Sequence, residues 1–407
     1  MRKLKDSGIE WIGEIPMDWN FTKIGALYDE RNTKVSDRDY PALSVTKRGI
    51  VPQLETAAKT DNGDNRKLIK KNDFVINSRS DRRGSCGISE YDGSCSLINI
   101  VLRPRKNMYN AYYSYVFRSE LFADEFYRWG NGIVDDLWST KWSSMKNIYI
   151  PAPTLAEQKK IAYYLESKCS KIDEIMARQT AIVEKLKEYK ISLYSEQIAR
   201  GLGKEIALGK VIVSVEQGWS PSPSERKDDN GWSVLTLAAV KYGKFDAEGI
   251  KAFVGDWDNC RRFVLQNGDF LLTRSNTREL VGQVCMVDGV KENTIFSDLV
   301  YRLTFDLEYI DPEYALYYFQ SPQMRQQISR DAHGSSSTMV KITHKNISNW
   351  TVMLPSIETQ KEIVSILKQK EKAILNEISK RECLIKKLVE YKKSLIYEVV
   401  TGKREVL

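Results

Sequence analysis

Two stretches of this chain place apolar residues at steps of three, four or seven, with one step of ten in the second. In the first, Ile161, Leu165, Ile172, Ile175, Ile182, Leu186, Tyr189 and Leu193 follow that step, with Lys168 and Gln179 as polar exceptions. In the second, Ile363, Leu367, Ile374, Leu384, Leu388, Tyr391 and Leu395 hold the same register. Such spacing is a heptad seam, the stripe by which one helix packs on another. Neither stretch contains Pro or Gly, so each predicts an unbroken helix roughly 60 Å long. Pro153 and Pro355 stand just ahead of the stretches, with Thr154 and Ser356 as candidate N-caps. Gly201, Gly203 and Gly402 are the candidate C-terminal stops. Elsewhere the pattern is short: alternating apolar runs between turns rich in Gly, Asn, Asp and Ser. One aromatic helix-like segment interrupts each of these regions, N-A-Y-Y-S-Y-V-F-R-S at 110–119 and P-E-Y-A-L-Y-Y-F-Q-S at 312–321. Its tyrosines and phenylalanines are expected to be core.

The two stretches are copies. P-T-L-A-E-Q-K-K-I (153–161) returns as P-S-I-E-T-Q-K-E-I (355–363), and K-L-K-E-Y-K-I-S-L (185–193) as K-L-V-E-Y-K-K-S-L (387–395). A constant offset of 202 pairs Phe117 with Phe319, Gly132 with Gly334 and Gln158 with Gln360. About a third of positions in 153–198 equal their partners, beyond what chance supplies. Upstream, with a small gap, K-N-D-F-V-I-N-S-R-S (71–80) resembles Q-N-G-D-F-L-L-T-R-S (266–275). One unit of about 200 residues is therefore written twice. The expected class is α+β, with globular domains at 1–152 and 204–354 and long helices at 153–203 and 355–407. A helix with one apolar stripe is not stable alone, and its simplest partner is its own repeat. A pseudo-two-fold axis between the copies makes the helices an antiparallel coiled coil separating two related heads. Two heads at a set separation suit a duplex with two half-sites.

Composition adds bounds. The chain has 407 residues and a net charge of +8, which permits a polyanionic partner without requiring one. Six scattered cysteines without a C-x-x-C pair, and only two histidines, argue against zinc and for free thiols in a reducing cytoplasm. The start, M-R-K-L-K-D-S-G-I-E-W, lacks the apolar core of a signal peptide, and no apolar run reaches about 18 residues. A cytoplasmic protein without a membrane segment is expected.

Catalytic motifs come close and fail. G-K-E-I-A-L-G-K (203–210) has one residue too many for a phosphate loop and lacks the following Ser or Thr. D-P-E-Y (311–314) leads into the aromatic helix without a Gly-rich cofactor loop before it, so it is taken as a helix start. E-Y-K at 188–190 and 390–392 lies mid-helix without an acidic partner. No hydrolase, metalloprotease or Cys/His signature is present. Catalytic residues, a metal site and a cofactor are accordingly not expected in this chain.

Three features now coincide: D-S-G-I-E-W-I-G-E-I-P at 6–16, the doubled P-x-x-x-x-Q-K-x-I opening each long helix, and the doubled E-Y-K-x-S-L with V-V-T-G-K near the end. Together they resemble the DNA-specificity subunits of type I restriction–modification systems, over the whole chain. The resemblance implies two target-recognition domains, each reading one half of a split, asymmetric site in double-stranded DNA. It implies helices that space the domains and dock two methyltransferase subunits, and restriction subunits with ATP-driven motors in the larger complex. S-adenosylmethionine, ATP and Mg would belong to those partner subunits. The family's Glu-Gln is kept as Glu157-Gln158 but becomes Thr359-Gln360, and the first helix ends in A-R-G-L-G; both departures bear on local partner contacts.

Base reading needs donors and acceptors on exposed loops, with Arg and Lys for phosphates and guanine edges. The richest stretch of the first head contains Asn77, Ser78, Arg79, Ser80, Arg82 and Arg83. Its counterpart contains Thr273, Arg274, Ser275, Asn276 and Arg278. Equivalent loops with different residues would read different half-sites. A second candidate is Asn131 with Lys141 and Trp142, against Ser335, Ser336, Lys341, His344 and Lys345. Weaker candidates are Lys47 and Arg48, Lys241 and Tyr242, and the loop 217–224. Solvated turns are the plain alternative for all of them. At the level of function, the alternatives are a coiled-coil scaffold whose heads bind protein and a self-sufficient nuclease.

Overall fold

The computed structural model describes residues 2–53, 63–132, 138–221, 231–336 and 339–406. The chain divides into two compact units, residues 1–179 with 383–407, and residues 180–382. Both boundaries fall inside the long helices, Leu155–Arg200 and Ile357–Val400, so each unit owns a part of each helix.

The units repeat one plan. The first is built on a four-stranded antiparallel sheet in the order Cys86–Ile88, Phe74–Asn77, Asn99–Pro104, Tyr28–Glu30. The second has Val284–Met286, Phe270–Thr273, Val300–Phe305, Ile212–Gln217 in the same order. On each sheet lies a pair of helices, Asn110–Arg118 with Glu120–Arg128, and Pro312–Gln320 with Pro322–Asp331. Their aromatic residues are core: Tyr112, Tyr113, Phe117 and Phe122 in one unit, Tyr314, Tyr318 and Phe319 in the other, are all buried. Asp311 caps its helix by accepting from the N–H groups of Glu313 and Tyr314, with Pro312 at the first helical position. The D-P-E-Y stretch is thus a helix start.

Within the first unit, the beginning of the first long helix runs antiparallel to the end of the second, and Asp173 pairs with Lys392 at 2.6 Å. Within the second unit, the end of the first helix meets the beginning of the second. There Glu371 accepts from Tyr194 (2.6 Å) and Tyr317 (3.0 Å) and pairs with Lys190 (3.3 Å). Of the expected seam, Ile161, Leu165, Ile172, Leu193, Ile363, Leu367, Ile374 and Leu395 are buried, and Ile182, Leu186 and Leu388 are half-buried. Tyr189, Leu384 and Tyr391 are exposed and leave the seam, as does Ile175. A straight helix drifts about 20° per heptad against a 3.5-residue repeat. Val183, Tyr194, Ile198, Ile378 and Val399 are among the further buried residues of the two helices.

The joint phrase has a geometric role. Thr154 and Ser356 cap their helices through bonds from the N–H groups of Glu157 and Thr359, both 3.3 Å. Gln158 is buried; its carbonyl accepts from the Tyr109 N–H (2.8 Å) and its amide donates to the Pro153 carbonyl (2.9 Å). Gln360 repeats this on Asp311 N–H (2.9 Å) and Pro355 O (2.9 Å), and adds Tyr309 O (2.8 Å). Each glutamine therefore ties the start of a long helix to the start of an aromatic helix.

The helix ends differ. Gly402 takes a left-handed conformation (φ +73°), the geometry of a glycine stop. Gly201 and Gly203 have no such φ; they are small because the chain passes close to its neighbours. A Cβ on Gly203 would lie 2.4 Å from the Leu354 carbonyl carbon. From there the chain enters the strand Lys204–Ala207, which pairs with Thr351–Leu354. In the first unit the matching strand Asn20–Lys23 pairs with Tyr149–Ala152 and is preceded by the D-S-G-I-E-W segment. Trp11, Ile12 and Ile15 of that segment, with Trp19 just after it, share a core with Leu395, Val399 and Val400. Trp19 donates to Glu157 (3.2 Å), which also pairs with Arg2 (2.8 Å). Burial alone would raise the Glu157 pKa, but the bonds from Arg2 and Trp19 outweigh it and hold the carboxyl below its ordinary value. Thr359, in the second unit, has no such role.

Candidate nucleic-acid interface

In the first unit the strand Phe74–Asn77 leaves the sheet as an extended segment, with Arg79 at φ −84° and ψ 141°. Arg79 bridges to Ser139, and Ser139 bridges to Asn131. The Ser78 carbonyl accepts from Thr140 N–H at 3.0 Å. Two stretches singled out separately in the sequence thus form one edge. A cleft of ≈ 590 Å³ opens beside it, lined by Glu30, Lys67, Arg79, Leu97, Asn99, Lys141, Trp142 and Lys146 among others.

The second unit brings the same stretches together. Ser275–Asn276 pairs with Met339–Lys341, Ser275 opposite Lys341, and His333–Ser336, which carries Ser335, lies on the other side of that strand. Ile342 N–H donates to the Arg274 carbonyl at 3.0 Å. Residues 222–224 of the loop 217–224 lie outside the described residues.

The backbone bonds correct one expectation. Thr140 bonds Ser78 and its counterpart Ile342 bonds Arg274; Ser139 faces Arg79 and its counterpart Lys341 faces Ser275. Ser78 therefore corresponds to Arg274, and Arg79 to Ser275. The two arginines are one residue out of register, which in extended chain sends side chains to opposite sides. The Arg274 guanidinium donates to the Tyr301 hydroxyl (3.2 Å) and the Asp298 carbonyl (3.4 Å) and lies over the Tyr301 ring. Arg79 has no ion pair among the described residues.

The remaining candidates sort by burial. Asn77, Ser78, Thr273 and Ser275 are buried and hold the loops instead of facing outward. Thr273 donates to Leu280 O (3.0 Å) and accepts from Gln283 N–H (2.9 Å), Ser275 donates to Val340 O (3.3 Å), and Asn77 accepts from Arg79 N–H (3.0 Å). These small polar side chains sit where a strand becomes a loop and its backbone groups need partners. Ser80 and Asn276 are half-buried, and Asn131, Lys141, Arg278, Lys341, His344 and Lys345 are exposed. Arg82 and Arg83 are exposed but paired with Asp81 and Asp124. Lys47 and Arg48 form the exposed turn between Leu43–Thr46 and Gly49–Pro52. Lys241 and Tyr242 lie in the hairpin Val240–Lys241/Lys244–Phe245, with left-handed Tyr242 (φ 51°) and Gly243 (φ 77°) in its turn.

Lys67, Asn99 and Lys146 escaped the sequence reading. Lys67 and Asn99 lie in strands, where a polar residue reads as a solvent-facing position. Other chemistry is sparse. Burial pushes the thiols of Cys86, Cys95 and Cys285 up to about 12, so they stay protonated near neutrality. Among the described residues no cluster of His, Cys, Asp and Glu has the form of a metal site, and no helix is long and apolar enough to cross a membrane.

Residues 16–185 and 204–382 each match the family model of the type I restriction modification DNA specificity domain. Among curated proteins, the chain is 26% identical over 284 residues to the type I restriction enzyme EcoKI specificity subunit of Escherichia coli strain K12, covering 66% of this chain and 60% of that one. It is 25% identical over 281 residues to the MjaVIII specificity subunit of Methanocaldococcus jannaschii, covering 64% and 63%. The chain thus spans about 60% of the length of these relatives. Two solved structures share the fold at 15% identity. One is a chain from a study of complex assembly and conformational transition of the type I R-M system, with a TM-score of 0.73 over 96% of this chain and 99% of that one. The other is the HsdS subunit from Thermoanaerobacter tengcongensis, with a TM-score of 0.52 over 96% and 98%.

Proposed function

Since this chain belongs to the type I restriction–modification DNA-specificity family, we propose that it is a non-catalytic subunit that recognises a bipartite DNA target, one half-site per unit. The long helices serve as spacer and as docking surface for methyltransferase and restriction subunits, which bring S-adenosylmethionine, ATP and Mg. The observation that carries this function is the repeated edge. Two units of one plan present equivalent segments, 78–79 with 131 and 138–140, and 274–276 with 333–336 and 339–342, and fill them with different residues. A shared frame with different polar groups is what two unlike half-sites demand.

Mapping methylated bases in the host genome tests the function. The expected result is a split motif with a constant gap that disappears when this gene is deleted. A motif without a gap, or one unaffected by deletion, refutes it. Inserting residues into one long helix is expected to change the gap and leave both half-motifs intact; an unaltered gap refutes the spacer role. Filter binding across salt separates a DNA reader from a protein scaffold, because phosphate-dependent binding weakens steeply as salt rises.

A further inference from the structure

The cleft beside Arg79 holds more positive charge than the fold needs. Lys67, Arg79, Lys141 and Lys146 line it, against one carboxylate, Glu30. Lys67 is 8% exposed, and its ammonium donates to the Asn99 carbonyl (2.9 Å) and to Glu30 (3.2 Å). An ammonium has three donors, so one remains for a ligand. Arg79, Lys141 and Lys146 have no acidic partner among the described residues, and Lys141 and Lys146 are exposed.

The second unit is an internal control. Leu68 faces Ser94 as Val264 faces Ile295, which sets Lys67 opposite Phe263. Leu102 faces Phe74 as Leu303 faces Phe270, which sets Asn99 opposite Val300. Leu102 also faces Glu30 as Leu303 faces Val215. The bridges already described set Arg79 opposite Ser275, and the constant offset of 202 sets Lys141 and Lys146 opposite Thr343 and Ser348. All five charges are absent from the second copy, yet the same sheet and edge form there. The fold therefore does not require them. Burying a lysine is costly unless something compensates it, and one shared carboxylate leaves the cleft strongly positive.

We propose that this cleft seats one phosphate of the DNA backbone beside the half-site read by the first unit, with Lys67 as its buried anchor. A concave cationic cleft suits a protruding phosphate, whereas base edges lie recessed in a groove and call for protruding side chains. The second unit lacks this anchor, so the two half-sites are held unequally. The proposal rests on the DNA-reading function above, and the experiment separates the two.

The full chain is titrated in filter binding against two duplexes of unrelated sequence over a range of salt. Lys67→Met and Lys146→Ala are each expected to weaken both duplexes alike, by about tenfold at moderate salt, and to reduce the slope of log K against log salt by about 1. Lys146 is exposed, so its variant tests the cleft even if Lys67→Met disturbs folding. Normal affinity with an unchanged slope in a folded Lys146→Ala overturns the proposal. So does a loss confined to one duplex, which marks a base contact. A wild-type chain that binds neither duplex even at low salt, where sequence-independent phosphate binding is strongest, overturns the DNA-reading function itself.

Discussion

Replacing Gln360 with Ala removes the acceptor of the Asp311 N–H and the donor to the carbonyls of Tyr309 and Pro355. Gln360 is fully buried, so water does not readily replace it. A buried backbone group left without a partner costs about 1–3 kcal/mol. Three such groups, partly relieved by local relaxation, bring the loss to about 3–5 kcal/mol. Gln158→Ala strands two groups, Tyr109 N–H and Pro153 O, for about 2–4 kcal/mol. Two units that share a pair of helices need not unfold in one step, so a local probe is best. Amide hydrogen exchange at Asp311 and Tyr109, alongside urea unfolding, reports each joint separately. Faster exchange at Asp311 in one variant and at Tyr109 in the other is expected. A loss below about 1 kcal/mol at either site refutes the claim that these side chains tie helix to head. Gln360→Glu adds a signature. Burial raises the folded-state pKa of the new carboxyl above its unfolded value, so the variant is least harmed below the unfolded pKa and worsens as pH rises through the folded one.

Arg274→Ala is expected to cost ~1–3 kcal/mol of specific binding at the second unit's half-site only; an equal loss on all sequences would make the residue a phosphate contact. Glu157 is held below its ordinary pKa, so its contribution is present above the unfolded carboxyl pKa and lost as pH falls through the folded one. Thermal melts should therefore show Glu157→Gln less stable than the parent near neutrality and equal to it in acid; a difference independent of pH would contradict the Arg2 and Trp19 bonds. Gly203→Ala drives a Cβ into the Leu354 backbone and should destabilise the second unit by ~1–3 kcal/mol, read as a lowered urea midpoint. An unchanged midpoint would mean that the close approach relaxes freely.

The repeat, the long helices, their N-caps, the Gly402 stop and the aromatic cores were legible in the sequence because each rests on local periodicity or on a cap with its own chemistry. Four things were not. Gln158 and Gln360 stood out as a repeated letter, but their partners, Tyr109 and Asp311, lie 49 residues upstream in each copy, beyond any local rule. Arg79 and Arg274 look equivalent when letters are aligned with a gap, whereas backbone pairing counts positions and sets them one apart. Lys67 hides because nothing in a strand's sequence says that a lysine is buried. Four interior seam positions, Ile175, Tyr189, Leu384 and Tyr391, escaped for another reason: an ideal 3.5-residue repeat was imposed on helices that do not keep it throughout.

The division of the chain has a consequence during synthesis. Residues 180–382 form their unit from one uninterrupted stretch, whereas the other unit needs residues 383–407 beside residues 1–179. The part made first is therefore completed last. Trp11, Ile12 and Trp19 must wait for Leu395, Val399 and Val400 to emerge before their shared core can close. At about 5–20 residues per second that wait lasts roughly 20–75 s. Through that interval the nascent amino-terminal half carries an unsealed apolar surface, a natural target for chaperones on the ribosome.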